Sequence, residues 1–338
     1  MNLRKLTSLA VALAVTGGLF YFLARTTTWE DWIAIFGGLD ARCLFGFLAL
    51  YLASMALRAA RYRLLLRASS AVSPPGMKDL LLVTFASNLF VDLLPARSGS
   101  LAYIVFLNRK LKVELSSCVS SFAYSFVFDI FGMLPLFGLA IWLHARQTGD
   151  SGLALYGLLA VLAVAGVAAL VMLERLLNWG AAVAGRRAAR LGGRQRAFLQ
   201  KAAAEALAMA ADVTRVRQSG VFWRLLGVSV AIRLGKYVGL YVLIMGFAGQ
   251  FGQAVVDALG FPLVLFALLA AEATASLPVS GIAGFGAYEG VMGATLLAAG
   301  LAQAQAAMIP FALHLTTQAI DYCLGGLALA WLGLKKRD

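Results

Sequence analysis

Leu277 to Glu289 reads L-P-V-S-G-I-A-G-F-G-A-Y-E, set between an apolar run from Ala258 to Ser276 and another from Gly290 to Leu301. Pro278 removes a backbone donor, and Gly281, Gly284 and Gly286 admit non-helical dihedrals, so a helix must stop here. The interruption closes on a carboxylate, Glu289. Backbone freed of helical bonding at membrane depth is tolerated only inside protein or against a wet cavity. An earlier stretch, Asn88 to Tyr103, reads N-L-F-V-D-L-L-P-A-R-S-G-S-L-A-Y and has the same order. Both run from apolar helix through Leu-Pro and a small-residue turn to an aromatic. Two broken apolar segments at corresponding places in two halves point to a transporter's binding site.

Composition sets the surroundings of that pair. Of 338 residues, 61% are hydrophobic and 13% charged, with a mean hydropathy of +0.83. A soluble domain is about 45–50% apolar and about 25% charged, so the chain is read as an integral membrane protein. The net charge of +13 follows the tendency of cytoplasmic loops to collect Lys and Arg, and such loops are attracted to anionic lipid surfaces. Nucleic acid is excluded as a partner, because no zinc spacing, recognition helix or soluble domain accompanies the charge. Cys43, Cys118 and Cys323 are far apart and in apolar context, as small core residues rather than disulfides or ligands. His144 is expected at the membrane edge and His314 as a packed side chain. No metal or other cofactor is expected.

Taken in order, Leu6 to Ala24 reads as an uncleaved first span, its apolar core being longer than the about 7–15 residues of a signal peptide. Thr26 to Asp40 is an external connection, with Trp29 and Trp32 suited to the membrane–water interface. Arg42 to Leu57 is a second span continuing into Arg58, Arg61, Arg63 and Arg67. Lys78 to Leu94 and Ser98 to Leu107 flank the first break; the latter is shorter than the roughly 20 residues a crossing needs. A hairpin over 78–107 that enters and leaves on the cytoplasmic side keeps Arg109, Lys110 and Lys112 inside. Val119 to Leu143 crosses outward and Gly152 to Leu173 crosses back. The basic region 174–220 suggests an amphipathic helix on the inner surface. Val221 to Phe247 crosses outward, a second hairpin over 258–301 enters from outside, and Ala306 to Leu334 returns to Lys335-Lys336-Arg337. The fold class is therefore all-α: one polytopic transmembrane bundle over 1–338, with halves 1–146 and 147–338 related by inversion and two re-entrant broken-helix hairpins. Both termini fall on the cytoplasmic side of a bacterial inner membrane.

A charge at the bilayer centre costs about 2.5–3.5 kcal/mol on insertion scales and faces the protein interior or a cavity. Asp92, Arg97, Asp129, Arg233, Lys236, Glu272, Glu289 and Asp321 are the candidates, and since both signs occur, pairing among Asp129, Arg233, Lys236, Glu272 and Asp321 competes with a coupling role. Arg97 follows Pro95 in the first turn, beside the amides of Ser98, Gly99 and Ser100, where Arg forks and helix N-termini both favour phosphate. Ser280, Gly281, Gly284 and Gly286 offer the same in the second turn. Glu289 either caps its half-helix or takes a proton or a cationic group. Arg58 and Arg61, three apart on one helix face, either anchor the cytoplasmic boundary by snorkelling or approach a phosphate head group. Asn88 and Asp92 complete the first segment.

L-P-A-R-S-G-S-L-A-Y and L-P-V-S-G-I-A-G-F-G-A-Y-E resemble the two signature segments of the lysylphosphatidylglycerol synthase transmembrane region, a flippase-like family. The resemblance extends over nearly the whole chain, including Arg58 and Arg61, and is specific in the two hairpins. It implies a lipid-translocating unit with inverted hairpins. In the synthases that unit flips a lipid made by a separate cytosolic aminoacyl-transfer domain; these residues hold no such domain, so the resemblance carries no synthase activity. Ser100 stands where relatives commonly place an acidic residue, which moves any carboxylate role to Asp92 and Glu289.

The expected function is movement between leaflets of a lipid with an anionic phosphate-bearing head group. A membrane-embedded enzyme acting on polyprenyl or glycolipid phosphates would need a nucleophile or metal cluster, and no Asp-rich pair or His constellation is visible. A non-transporting subunit of a cell-envelope biosynthetic complex would need no water-accessible cavity. Membrane lipids are thus the expected partners, with a homo-oligomer or a biosynthetic enzyme as further ones.

Overall fold

A computed structural model describes residues 3–69, 74–94, 99–148, 153–275 and 285–334. Among them every regular element is helical: α1 (Leu3–Thr26), α2 (Trp29–Gly37), α3 (Ala41–Ser69), α4 (Met77–Leu93), α5 (Ala102–Leu111), α6 (Leu115–Thr148), α7 (Leu153–Ala188), α8 (Gly193–Gln218), α9 (Phe222–Ala248), α10 (Gln253–Ala258), α11 (Phe261–Ala275), α12 (Ala287–Ala298) and α13 (Gln303–Leu334). Three helical stretches, Ala41–Ser69, Leu115–Leu143 and Phe222–Phe251, are long and apolar enough to cross a membrane among the described residues. Pro135 and Pro310 lie inside α6 and α13, where membrane helices tolerate such breaks better than soluble ones.

The connection after α1 is more ordered than its composition suggests. The Thr28 hydroxyl accepts the Asp31 amide at 3.3 Å and the Thr28 amide donates to Asp31 Oδ2 at 2.7 Å, a reciprocal cap that starts α2. The amide bond to its charged form holds the Asp31 carboxyl below the usual range. Trp29 is exposed as expected, but Trp32 turns inward. Its indole donates to Thr27 Oγ1 at 3.0 Å and its ring packs on Phe311, 5.1 Å between centroids. An indole offered both an apolar neighbour and an acceptor is drawn partly out of the interface.

The bundle is built around α3 and α9, which pack along much of their length. Small residues let the two backbones approach: a Cβ on Gly246 would stand 2.7 Å from the Cβ of Cys43. The basic stretch 174–220 divides between the end of α7 and α8, which folds back along α7 and also touches α6 and α3. Asp212 on α8 is buried against α6, accepting from Ser117 Oγ at 3.0 Å and pairing with Arg215 at 3.1 Å. Burial pushes its carboxyl above the usual range.

In each broken segment the helices on either side of the break pack together. Beyond α4 the backbone at Gly99 lies directly on the Phe90 carbonyl, and Phe106 of α5 packs on Phe90 at 5.8 Å. α11 and α12 pack on each other in the same way. The contacts then cross between halves: α4 lies on α13, and α11 lies on α6.

The α4–α13 contact depends on Gly325. A Cβ there would sit 2.5 Å from the Leu89 Cβ and 3.0 Å from the Phe85 carbonyl, whereas nothing lies within 4 Å of one on Gly326. Gly325→Ala is expected to cost ~1–3 kcal/mol by overpacking, while Gly326→Ala is neutral. Melting curves of the two detergent-purified variants check this; equal curves would mean that α4 and α13 do not meet at Gly325.

Candidate functional site

A cavity of about 500 Å³ lies between α3, α4, α6, α9, α11 and α13. Three cations (Arg58, Arg233, Lys236) and four carboxylates (Asp92, Asp129, Glu272, Asp321) line it among the described residues, so their pairing decides whether the site can exist inside an apolar protein. A buried charge is tolerated when it is paired and hydrogen-bonded.

On the α3, α6, α9 and α11 side the charges form a chain. Arg61 Nη1 donates to Asp129 Oδ1 at 2.8 Å and to Ser229 Oγ at 2.9 Å. Arg233 reaches Asp129 at 3.4 Å and Glu272 at 3.2 Å. Lys236 Nζ and the Tyr237 hydroxyl both donate to Glu272 Oε2, at 2.8 and 2.6 Å. On the α4 and α13 side Asp321 Oδ1 accepts from Asn88 Nδ2 at 2.6 Å and from the Tyr51 hydroxyl. Arg58 Nη1 in turn donates to Asn88 Oδ1 at 3.2 Å.

Among the described residues several donors remain without an acceptor. The Ser125 hydroxyl, Arg58 Nε and Arg233 Nε are buried atoms with no hydrogen-bond partner, on residues that line the cavity. A buried donor left unmade costs about 1–3 kcal/mol, so acceptor oxygens arriving in the cavity would recover that cost. The wall also has an apolar side. Phe126 and Leu94 line the cavity and are 62% and 45% exposed, giving the polar chamber an apolar edge.

The second break supplies a separate pair. Gly286 adopts φ +117°, which a side chain disfavours, and is buried against Val15 of α1. Its amide donates to Glu289 Oε2 at 2.6 Å, and Glu289 Oε1 meets His314 Nδ1. Glu289 is buried, while His314 lines the cavity.

Of the residues proposed from sequence, Arg58, Asn88, Asp92, Ser100, Asp129, Arg233, Lys236, Glu272 and Asp321 come together on this cavity. Gly99 forms the turn beneath it, and Gly286 and Glu289 stand behind His314. Pro95, Arg97, Ser98, Pro278, Ser280, Gly281 and Gly284 lie outside the described residues. Arg61 differs from the expectation of a snorkelling or head-group residue: it is fully buried and bonded to Asp129. A carboxylate on the neighbouring helix offers the guanidinium a nearer partner than any interface. His314, expected as a packed side chain, instead joins Glu289 to the cavity. Tyr51, Ser125, Tyr237 and Gln318 were not singled out by sequence.

A family model described as Lysylphosphatidylglycerol synthase TM region matches residues 9–325. Searches of curated proteins and of solved structures found no match.

Proposed function

The chain belongs to the lysylphosphatidylglycerol synthase TM region family, and on that premise we propose that this integral membrane protein moves an anionic, phosphate-bearing lipid between leaflets. The carrying observation is the cavity itself: a chamber of paired charges inside an apolar bundle, bordered by exposed Phe126 and Leu94. A lipid fits that division, with its head group among Arg58, Ser125 and Arg233 and its tails past the apolar edge. The unsatisfied donors support a phosphate, whose oxygens accept from Arg and hydroxyl groups. The activity is transport rather than catalysis.

In this reading α4–α5 and α11–α12 are re-entrant hairpins dipping from opposite leaflets, and the halves are inverted repeats. The exchange of contacts, α4 on α13 and α11 on α6, is what a two-fold axis in the membrane plane would generate. Arg58, Ser125 and Arg233 meet the head group within the chamber, and rocking of the hairpins opens it alternately. Both termini and the Arg-rich ends of α7 and α8 face the cytoplasm of a bacterial inner membrane. Membrane lipids are the partners.

Liposomes carrying a fluorescent phospholipid test this. Arg58→Ala and Arg97→Ala are each expected to slow transbilayer movement at least about tenfold, as loss of a charge-assisted bond worth ~1.5–3 kcal/mol requires. Wild-type rates in both variants would remove the basis for head-group binding.

A further inference from the structure

Head-group binding uses the cations and hydroxyls of the cavity but leaves His314 and Glu289 without a role. His314 stands midway along α13 with its ring among the cavity-lining residues. Its Nδ1 meets Glu289 Oε1, and its Nε2 lies 2.9 Å from Gln318 Nε2, one turn further on. Glu289 is 3% exposed and does not line the cavity. Its second oxygen holds the Gly286 amide at 2.6 Å, at the point where α12 begins. The pair thus has one wet end and one sealed end.

Three features suit this arrangement to gaining and losing a proton. Imidazole is the side chain whose ordinary pKa, about 6.5, lies closest to physiological pH. Gln318 carries both a donor and an acceptor: its amide nitrogen donates to a neutral Nε2, and its oxygen, after rotation of the amide, accepts from a protonated one. The ring keeps a partner in either state. Glu289 is a buried carboxylate with no Lys or Arg partner among the described residues, so a proton on His314 turns a lone buried charge into an ion pair.

The surrounding charges do not replace that role. Tyr288 of α12 faces the ring at 5.3 Å, and Phe285 at 4.5 Å shields it. Asp321 of α13, Asp92 of α4, Glu272 of α11 and Lys236 of α9 line the same cavity. Lys236 is bonded to Glu272 at 2.8 Å.

We propose that the His314–Glu289 pair is a proton-binding site that couples lipid movement to proton movement through this cavity, an inference that rests on the head-group reading. A proton passed from hydronium in the cavity forms an N–H bond at Nε2 as the O–H bond to its water breaks, and the Gln318 amide rotates so that its oxygen accepts a hydrogen bond from that N–H. The resulting His⁺–Glu⁻ pair fastens the first turn of α12 to α13. Loss of the proton to the other side weakens that hold, next to the second break.

The test uses the full chain in liposomes with a trapped pH-sensitive dye, a fluorescent phospholipid and an imposed pH gradient. Wild-type protein is expected to move lipid several-fold faster under the gradient, with proton flux reported by the dye. His314→Gln is expected to lose both responses. Gln318→Met, a change of similar volume that removes the two-faced partner of Nε2, is expected to shift the midpoint of the pH–rate profile, because a hydrogen bond to a charged group is worth more than one to a neutral group. The sequence has two histidines, so in a His144→Gln protein His314 is the sole imidazole, and its nitrogen NMR signals are expected to titrate. Gradient-independent lipid movement without proton flux, or an imidazole that does not titrate, would overturn the coupling and leave the head-group reading standing. No lipid movement beside a titrating imidazole would overturn the head-group reading, and the coupling with it. An unshifted midpoint in Gln318→Met would overturn the assignment to this pair.

Discussion

Asp129→Ala is expected to destabilise the protein more than any other single change to the cavity wall, by ~3–5 kcal/mol, the cost of breaking a buried ion pair from one side. Asp129 Oδ1 is shared by Arg61 at 2.8 Å and Arg233 at 3.4 Å. Arg61 is fully buried, and among the described residues its Nε and Nη2 lack partners, so removing the carboxylate leaves a buried cation bonded to the Ser229 hydroxyl. Glu272 cannot take over, because Arg233, Lys236 and Tyr237 already converge on it. Thermal unfolding in detergent reads the loss. A paired replacement, Asp129→Leu with Arg61→Met, should recover much of the stability, since exchange of a whole buried pair for apolar residues is often neutral. Equal damage from the single and paired changes would show that the network is held by something other than this ion pair.

Gly99→Ala should produce the largest effect on transport with the smallest change in side chain. Its Cβ would stand 1.7 Å from the Phe90 carbonyl oxygen and 2.5 Å from the Val91 nitrogen. Both are backbone atoms, so no rotamer change relieves the overlap, and the Phe90 carbonyl is occupied by the Leu94 amide at 3.1 Å. The return turn must therefore move away from α4, carrying Ser100 and Tyr103 out of the cavity wall. Overpacking of ~1–3 kcal/mol placed on the head-group pose corresponds to a loss of about 5- to 150-fold in lipid movement. The flip assay checks it, and a wild-type rate would mean that the first break takes no part in the site.

Much of the cavity was legible because charge is expensive in a bilayer. Asp129, Arg233, Lys236, Glu272 and Asp321 stood out as charges inside apolar runs, and each lines the chamber. The uncharged members gave no such signal: Tyr51 and Ser125 are ordinary in apolar helices, and only their tertiary neighbours make them donors to the site. Arg61 was misplaced for a related reason. Helical spacing joins it to Arg58, but Asp129, the partner that decides its position, lies 68 residues further along. His314 had a readable signal that was passed over: with Gln318 and Asp321 it occupies positions i, i+4 and i+7 of one helix face. In α7 the apolar pattern ends near Leu173 while the helix runs on to Ala188. Hydropathy marks where a membrane would end, whereas the helix needs only its own hydrogen bonds and the packing of α8.

In the proposed transport cycle a lipid head group occupies the charged chamber. A phospholipid bearing a photoreactive diazirine on its head group, cross-linked to the reconstituted protein and mapped by mass spectrometry, tests this most directly. Adducts are predicted on the cavity walls, on α3 around Ser54 to Tyr62 and on α6 around Phe122 to Met133. Adducts confined to outward-facing positions such as Phe45, Leu327 and Trp331, with the chamber unlabelled, would contradict it.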